Sequence, residues 1–492
     1  FKQINPFREE FLLQMSFLVP PATVRSWRAA GVTAAVLLLT TVFGLTAAVE
    51  AASLPAGPVP ISEYSKTDPA GRSLLLRWHK VKDDVAYELQ LTARGKVFWS
   101  DKRIYVNGYH VVLPGDFQEK SFQWQVRVLD YDGNPVTEFS DPQKVIVNPQ
   151  VQTDVYPLPL NGRNLLELGE SEAAAGQERE HGAVVPVRGR GIPEGLETPE
   201  LYPYHAGTTL VYPVYKWVPV SGADHYEVEV LRDLPVSNAA EAAPEKVAER
   251  LYTDHFDVYD DTPRISYWPM YWRVRALDKS GRPLGVFSPP QRFAANPMDK
   301  YAVGTLGDSI THGGGSVSGA PSDWEYDYQF YLKFDTINLG RSGDTSAEIV
   351  ARFDHDVLPF QPRYLLIMAG INSLRGDVPA SSVIADLETL RQNCLVNDIR
   401  PVFLTVLPLN PDYIRKVIGQ ATAPDWQEKL ARVNQYVRTQ PHIDLYTKFT
   451  EGQPLPASLS VDGLHPGVEG KQRIAAAINE QWDAVVAQYE KN

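Results

Sequence analysis

The chain has 492 residues, of which 43% are apolar and 22% charged, and its formal net charge is −13. That length suggests about three to four domains with the balance of a folded protein, and the acidic charge excludes a general nucleic-acid binder, which needs clustered Lys and Arg against phosphate. The single cysteine, Cys394, excludes an internal disulfide and a Cys-rich metal site.

Residues 1–52 read as an upstream segment and an export leader. Ala29 to Val49 carries no charge, follows Arg25 and Arg28, and is most apolar from Ala35 to Leu45. Small residues then lead to Val49-Glu50-Ala51, an acceptable cleavage site for a signal peptide. The rival is an uncleaved anchor, since about 20 apolar residues span a bilayer. Dilution by Gly, Ala and Thr favours cleavage, so no stable membrane insertion is expected unless the leader is retained. The stretch before Met15, with Glu9 and Glu10, reads as preceding the start. The expected location is secreted or in the cell envelope.

Two segments then repeat each other. Trp78 precedes Tyr87-Glu88 by nine residues, and Trp217 precedes Tyr226-Glu227 by the same nine. Trp124-Gln125-Val126-Arg127-Val128-Leu129-Asp130 matches Trp272-Arg273-Val274-Arg275-Ala276-Leu277-Asp278, and each is followed by Gly (Gly133, Gly281) and then Phe-Ser (Phe139-Ser140, Phe287-Ser288). Such repetition marks two copies of one structural unit. Alternating apolar residues (Tyr87, Leu89, Leu91; Tyr226, Val228, Val230; Trp124, Val126, Val128) and the turns Asp132-Gly133 and Ser280-Gly281 predict antiparallel β-sandwiches with buried Trp. Both units, 58–148 and 201–296, resemble fibronectin type III domains. Between them, 149–200, with charge clusters such as Glu170 to Glu180, reads as a linker or insertion.

From Met298 the pattern changes. Strand-like runs at Tyr301–Leu306, Thr336–Asn338, Tyr364–Met368 and Val402–Leu407 alternate with helical segments at Ser381–Val396, Trp426–Val437 and Gly470–Tyr489. Strands alternating with helices predict a parallel sheet covered on both faces over 297–492.

Four short blocks lie in that region: Gly307-Asp308-Ser309-Ile310, then Asn338-x-Gly340-x-x-Gly343-Asp344, then Gly370-Ile371-Asn372, then Asp462-x-x-His465. Each alone reads as a turn or a cap. In this order they resemble the SGNH hydrolase family, also called GDSL esterases. The resemblance implies an α/β/α three-layer domain with a parallel sheet and hydrolysis of carboxylic esters through an acyl-serine intermediate. It places the nucleophile at Ser309, the triad acid at Asp462, the base at His465, and the oxyanion donors at Ser309, Gly343 and Asn372. Ser373 stands where the family frequently has Asp.

The chemistry fits the residue types. A serine hydroxyl needs a base within hydrogen-bond reach, the acid orients the imidazole, and the tetrahedral oxyanion needs preorganised donors. Glycine at 343 is expected to let the backbone approach closely. Candidate substrate contacts are His312, Trp324, Tyr326, Arg341 and Arg375, each with a structural alternative in core, lid or solvated roles. Neither metal nor cofactor is implied, since the sequence carries no His-Glu-x-x-His, Cys cluster or Walker-type loop. The expected partner is an ester substrate, an acylated and foremost acetylated polysaccharide. Alternatives are a lipid esterase, lysophospholipase or thioesterase, and, in another class, an adhesion or glycan-binding protein with a vestigial hydrolase domain.

Overall fold

The computed structural model describes residues 54–81, 86–130, 133–160, 209–293, 295–313, 326–449 and 453–490. The leader, the cleavage site at 49–51, the charge cluster at 170–180 and Trp324 lie outside the described residues.

The first antiparallel unit contains β1 (Ser73–Arg77), β2 (Ala86–Ala93), β3 (Lys96–Ile104), β4 (Gly108–Val112), β5 (Ser121–Leu129) and β6 (Gln143–Ile146). They form a sheet of order β3-β2-β5-β6 and a separate β1-β4 pair. On β5, Phe122, Trp124, Val126 and Val128 alternate with more exposed residues, the period expected of a strand with one buried face. Their core also takes Leu74 and Leu76 from β1 and Tyr109 and Val111 from β4.

A second antiparallel unit follows the same rules. After β7 (Leu158–Leu160) and β8 (Thr209–Leu210) come β9 (Val214–Val218), β10 (His225–Leu231), β11 (Val247–Thr253), β12 (Asp257–Tyr259), β13 (Met270–Leu277) and β14 (Gln291–Phe293). One sheet has the order β11-β10-β13-β14 and another β12-β9-β7. The sequence repeat is physical. Trp78 and Tyr87 have ring centroids 5.2 Å apart, as do Trp217 and Tyr226. Glu88 pairs with Arg127 at 2.6 Å, and Glu227 pairs with Arg275 at 2.6 Å. Each arginine lies over the repeated phenylalanine, Arg127 at 4.3 Å from Phe139 and Arg275 at 4.4 Å from Phe287. Ser140 and Ser288 each accept a backbone N–H through Oγ, from Val126 and Val274 respectively, at 3.1 Å.

Strands β15 (Val303–Gly307), β16 (Thr336–Gly340), β17 (Tyr364–Met368), β18 (Arg400–Leu404) and β19 (His442–Ile443) complete a parallel sheet of order β19-β18-β17-β15-β16-β8. Every residue of β15, β16 and β17 is buried, as expected of central strands covered on both faces. Helices at Ala380–Val396, Trp426–Val437 and Val468–Glu490 contribute to the same core. Among the described residues no helix is long and apolar enough to cross a membrane.

Two strands depart from the division read in sequence. Residues 158–160, within the expected linker 149–200, pair with β9. Residues 209–210, within the expected sandwich 201–296, pair with β16 and form an edge of the parallel sheet. Val211 and Tyr212 enter the core of that sheet rather than of the antiparallel unit. Strands of two or three residues carry no readable period, so only pairing reveals them.

The order reverses at β15: the chain steps from β15 to β16 on one side and then to β17 on the other. Right-handed crossovers in opposite directions put the connections on opposite faces, and a crevice opens between them at the strand carboxyl ends. Gly307 is level there with Gly340 and Met368.

Candidate active site

β15 ends at Gly307, where an added Cβ would lie 2.3 Å from Thr311 Oγ1 and 2.5 Å from the Met368 carbonyl oxygen. Only glycine lets the next helical turn, Ser309–His312, press so closely against the strand ends. Asp308 starts that turn by accepting the Ile310 N–H through Oδ1 at 3.0 Å. Ser309 is therefore the first helical residue beyond the central strand.

Ser309 Oγ lies 2.8 Å from His465 Nε2, and His465 Nδ1 lies 2.6 Å from Asp462 Oδ2. Asp462 has no solvent exposure, and its other oxygen accepts the backbone N–H groups of Leu464 at 2.9 Å and His465 at 2.8 Å. An ionised carboxylate only accepts, so Nδ1 carries the ring proton and Nε2 presents its lone pair to the serine hydroxyl. The three-residue spacing works because the loop folds back on itself: Val461 N–H donates to the His465 carbonyl at 2.9 Å, and Gly463 adopts φ +87°.

The second block forms a tight turn over Arg341–Asp344. Arg341 N–H donates to the Gly307 carbonyl at 3.0 Å, and Asp344 N–H donates to the Arg341 carbonyl at 3.4 Å. Gly343 occupies the third position at φ +90°, which a type II turn reserves for glycine. Among the described residues, no atom beyond its chain neighbours lies within 4 Å of where its Cβ would be. The positive φ is thus what requires glycine within the protein, and the exposed position leaves the backbone open to close approach from solvent. The N–H groups of Ser309 and Gly343 donate to no protein acceptor among the described residues.

Asn372 lies in the helical turn Ile371–Arg375, which begins at Gly370 with φ +118°. Its Nδ2 donates to the Asp344 carbonyl at 3.0 Å, and its Oδ1 accepts Arg375 Nε at 3.3 Å. The family's frequent acid at 373 is here Ser373, whose Oγ accepts the Ser346 N–H at 2.9 Å. That bond ties the Asn372 turn to the helix following the Arg341–Asp344 turn.

A residue without a motif holds these parts together. The buried Arg352 donates to Asp344 Oδ2 at 2.5 Å, to the Leu339 carbonyl at 2.6 Å, to the Gly307 carbonyl at 2.8 Å and to Asp356 Oδ2 at 2.9 Å. One guanidinium thus fastens the ends of β15 and β16 to the turn.

The candidate substrate contacts divide. His312 does not join Ser309 and His465: it is 1% exposed, with Nε2 2.7 Å from the Tyr212 carbonyl and Nδ1 3.2 Å from Ser342 Oγ. The carbonyl can only accept, so Nε2 is protonated and Nδ1 accepts the Ser342 hydroxyl. Burial pushes its pKa down to about 4 and keeps the ring neutral. His312 is therefore a buried brace and not a substrate contact. Arg375 is occupied with Asn372 and with Gln420 Oε1 at 2.6 Å. Arg341 is partly exposed, 3.4 Å from Asp344 Oδ1 and over the Tyr212 ring at 5.7 Å. Tyr326 is partly buried.

Sequence reasoning also missed a buried polar group beneath the nucleophile turn. Lys471 Nζ donates to the Ile310 carbonyl at 2.6 Å, and burial lowers its pKa to about 8. Burial raises Asp308 to about 6 and Asp327 to about 7. No local pattern announces three such residues spread over the chain.

Residues 305–473 match the GDSL-like Lipase/Acylhydrolase family. A stretch of 158 residues is 28% identical to an acetylxylan esterase of Geobacillus stearothermophilus, covering 30% of this chain and 71% of that protein. Among solved structures, a GDSL-like lipase from Bacteroides thetaiotaomicron is 25% identical, covers 38% of this chain and 88% of that one, and gives a TM-score of 0.31. A lipase/acylhydrolase from Enterococcus faecalis is 24% identical, with 37% and 94% covered and a TM-score of 0.31. The C-terminal part of the chain is a GDSL/SGNH hydrolase domain, and the protein is a serine ester hydrolase.

Proposed function

We propose that the protein is an exported esterase that removes acyl groups, foremost acetyl, from a polysaccharide, with Ser309 as nucleophile, His465 as base and Asp462 as its orienting acid. The observation that carries the site assignment is the unbroken chain from Ser309 Oγ to His465 at 2.8 Å and on to Asp462 at 2.6 Å. Ser309 Oγ attacks the ester carbonyl as its proton passes to Nε2. The oxyanion takes hydrogen bonds from the N–H groups of Ser309 and Gly343 and from Asn372 Nδ2. The ester C–O bond breaks and the leaving alkoxide takes the proton from His465, leaving an acyl-serine. Water then attacks with the same base, and acid and free serine are released.

The likeness to an acetylxylan esterase supports the acetylated glycan as substrate. Export rests on the apolar leader, and removal at 49–51 implies a mature chain beginning near Ala52. The shared Trp–Tyr, Glu–Arg–Phe and Ser contacts of the two antiparallel units support reading both as fibronectin type III-like sandwiches. The test of the mechanism is Ser309→Ala. It should abolish turnover of 4-nitrophenyl acetate and covalent labelling by a fluorophosphonate while the melting temperature stays near that of the parent. A folded Ser309→Ala protein that still turns over ester overturns the assignment.

A further inference from the structure

We propose that the second antiparallel unit builds one side of the catalytic site, with Tyr259 on β12 a positioning residue that aims the turn Arg341–Asp344. The inference rests on the reading of Gly343 N–H as an oxyanion donor.

Ser342 is the second residue of that turn, and it is held at two atoms. Its N–H donates to Tyr259 OH at 3.3 Å, and its Oγ donates to His312 Nδ1 at 3.2 Å. The first partner belongs to the antiparallel unit, and the second is set by the segment that joins this unit to the parallel sheet. Tyr259 ends β12, where it pairs with Val214 of β9. His312 is set in its accepting tautomer by the carbonyl of Tyr212, two residues before β9. The Tyr259 ring also packs edge-on against His312, with centroids 5.0 Å apart.

Tyr212 is itself immobilised. Its hydroxyl donates to Asp356 Oδ2 at 2.6 Å, and the guanidinium groups of Arg341 and Arg352 each lie 5.7 Å from its ring centroid. The preceding Val211 N–H donates to the Asn338 carbonyl at 3.2 Å, anchoring the segment on β16.

The physical need for such a brace follows from the glycine. Gly343 has no Cβ to limit rotation, so the plane of the 342–343 peptide, which carries the Gly343 N–H, is set by what holds Ser342. An oxyanion donor is effective only when it is aimed before the charge develops. Fixing Ser342 at N–H supplies part of that aim from outside the hydrolase domain, through Tyr259, while His312 holds Oγ from within it.

Tyr259→Phe keeps the ring and removes one oxygen. On 4-nitrophenyl acetate, kcat per fluorophosphonate-titrated site should fall about 3–10-fold with KM within about twofold, the scale of one lost hydrogen bond felt mainly in the transition state. Ser342→Ala, which removes the link to His312, should fall similarly. Tyr252→Phe, altering a 59% exposed tyrosine of the same unit, should leave kcat unchanged. A merely structural Tyr259 would lower the melting temperature and the number of titratable sites but not kcat per site. Unchanged kcat per site in both Tyr259→Phe and Ser342→Ala, with Asn372→Ala strongly slowed, overturns this proposal alone. Unchanged kcat in Asn372→Ala as well overturns the oxyanion reading on which it rests.

Discussion

At Asn372 the two ends of one amide meet different neighbours, Nδ2 facing the Asp344 carbonyl and Oδ1 facing Arg375 Nε. Flipping the amide would set donor against donor and oxygen against oxygen, so the Nδ2 hydrogens stay on the side of the Arg341–Asp344 turn. A donor held this way strengthens its bond as the carbonyl oxygen becomes an oxyanion. Asn372→Ala should therefore lower kcat by about 10²–10³ with little change in KM. A raised KM at constant kcat, measured on 4-nitrophenyl acetate, would make Asn372 a ground-state contact instead. The blocks that hold Ser309, Gly343, Asn372, Asp462 and His465 could be picked out because their order carries information, and the structure brings Ser309, His465 and Asp462 into hydrogen-bond contact. Arg352, Tyr212 and Tyr259 could not be picked out, since a contact such as Tyr259 to Ser342 across 83 positions leaves no local pattern.

The turn Ser309–His312 rests on a buried polar layer that the rest of the site does not need chemically. Among the described residues Asp308 and Asp327 each have one carboxylate oxygen without a hydrogen-bond partner, and Lys471 is the cation whose charge both acids feel. Burial holds Asp327 near 7 against an ordinary 3.8. The native state thus binds more protons than the unfolded chain between about pH 4 and 7, and stability falls as pH rises through that window. Asp308 adds a similar loss up to about pH 6. Lys471, lowered to about 8 from 10.5, acts oppositely and only between those values. Asp327→Asn keeps the neutral form and can still accept the Gln329 N–H. Its melting temperature should decline less than the parent's from pH 4 to 7; equal slopes would mean that Asp327 is ionised throughout. At this scale, long periodic elements were readable: Trp426–Val437 coincides with the expected helix, and Ala380–Val396 starts one residue before it. Strands β8 and β19, two residues each, were not.

Over the whole molecule, the Trp–Tyr repeat was the clearest long-range signal, because each pair closes a core contact at 5.2 Å in its own unit. It could not tell that residues 209–212 leave the antiparallel pattern and join the parallel sheet, since pairing of β8 with β16 depends on a partner over a hundred residues away. Beside that junction, Tyr259 of β12 meets Ser342 in the turn Arg341–Asp344. The sequence after Ser309 is rich in Gly, Ser and Tyr and offers no long apolar lid for a fatty acyl chain. The proposed polysaccharide substrate, which calls for a short acyl pocket with a sugar-facing rim, predicts that acetyl esters are cleaved far faster than octanoyl esters and that acetate is released from acetylated xylan. If Tyr326 lines that rim, Tyr326→Ala should raise KM for the polysaccharide while sparing a small aryl acetate, because stacking would act on a remote sugar and not on the reacting carbonyl. Preference for octanoyl esters, with no acetate from any acetylated glycan, would turn the substrate into a lipid ester and leave the serine chemistry as it stands.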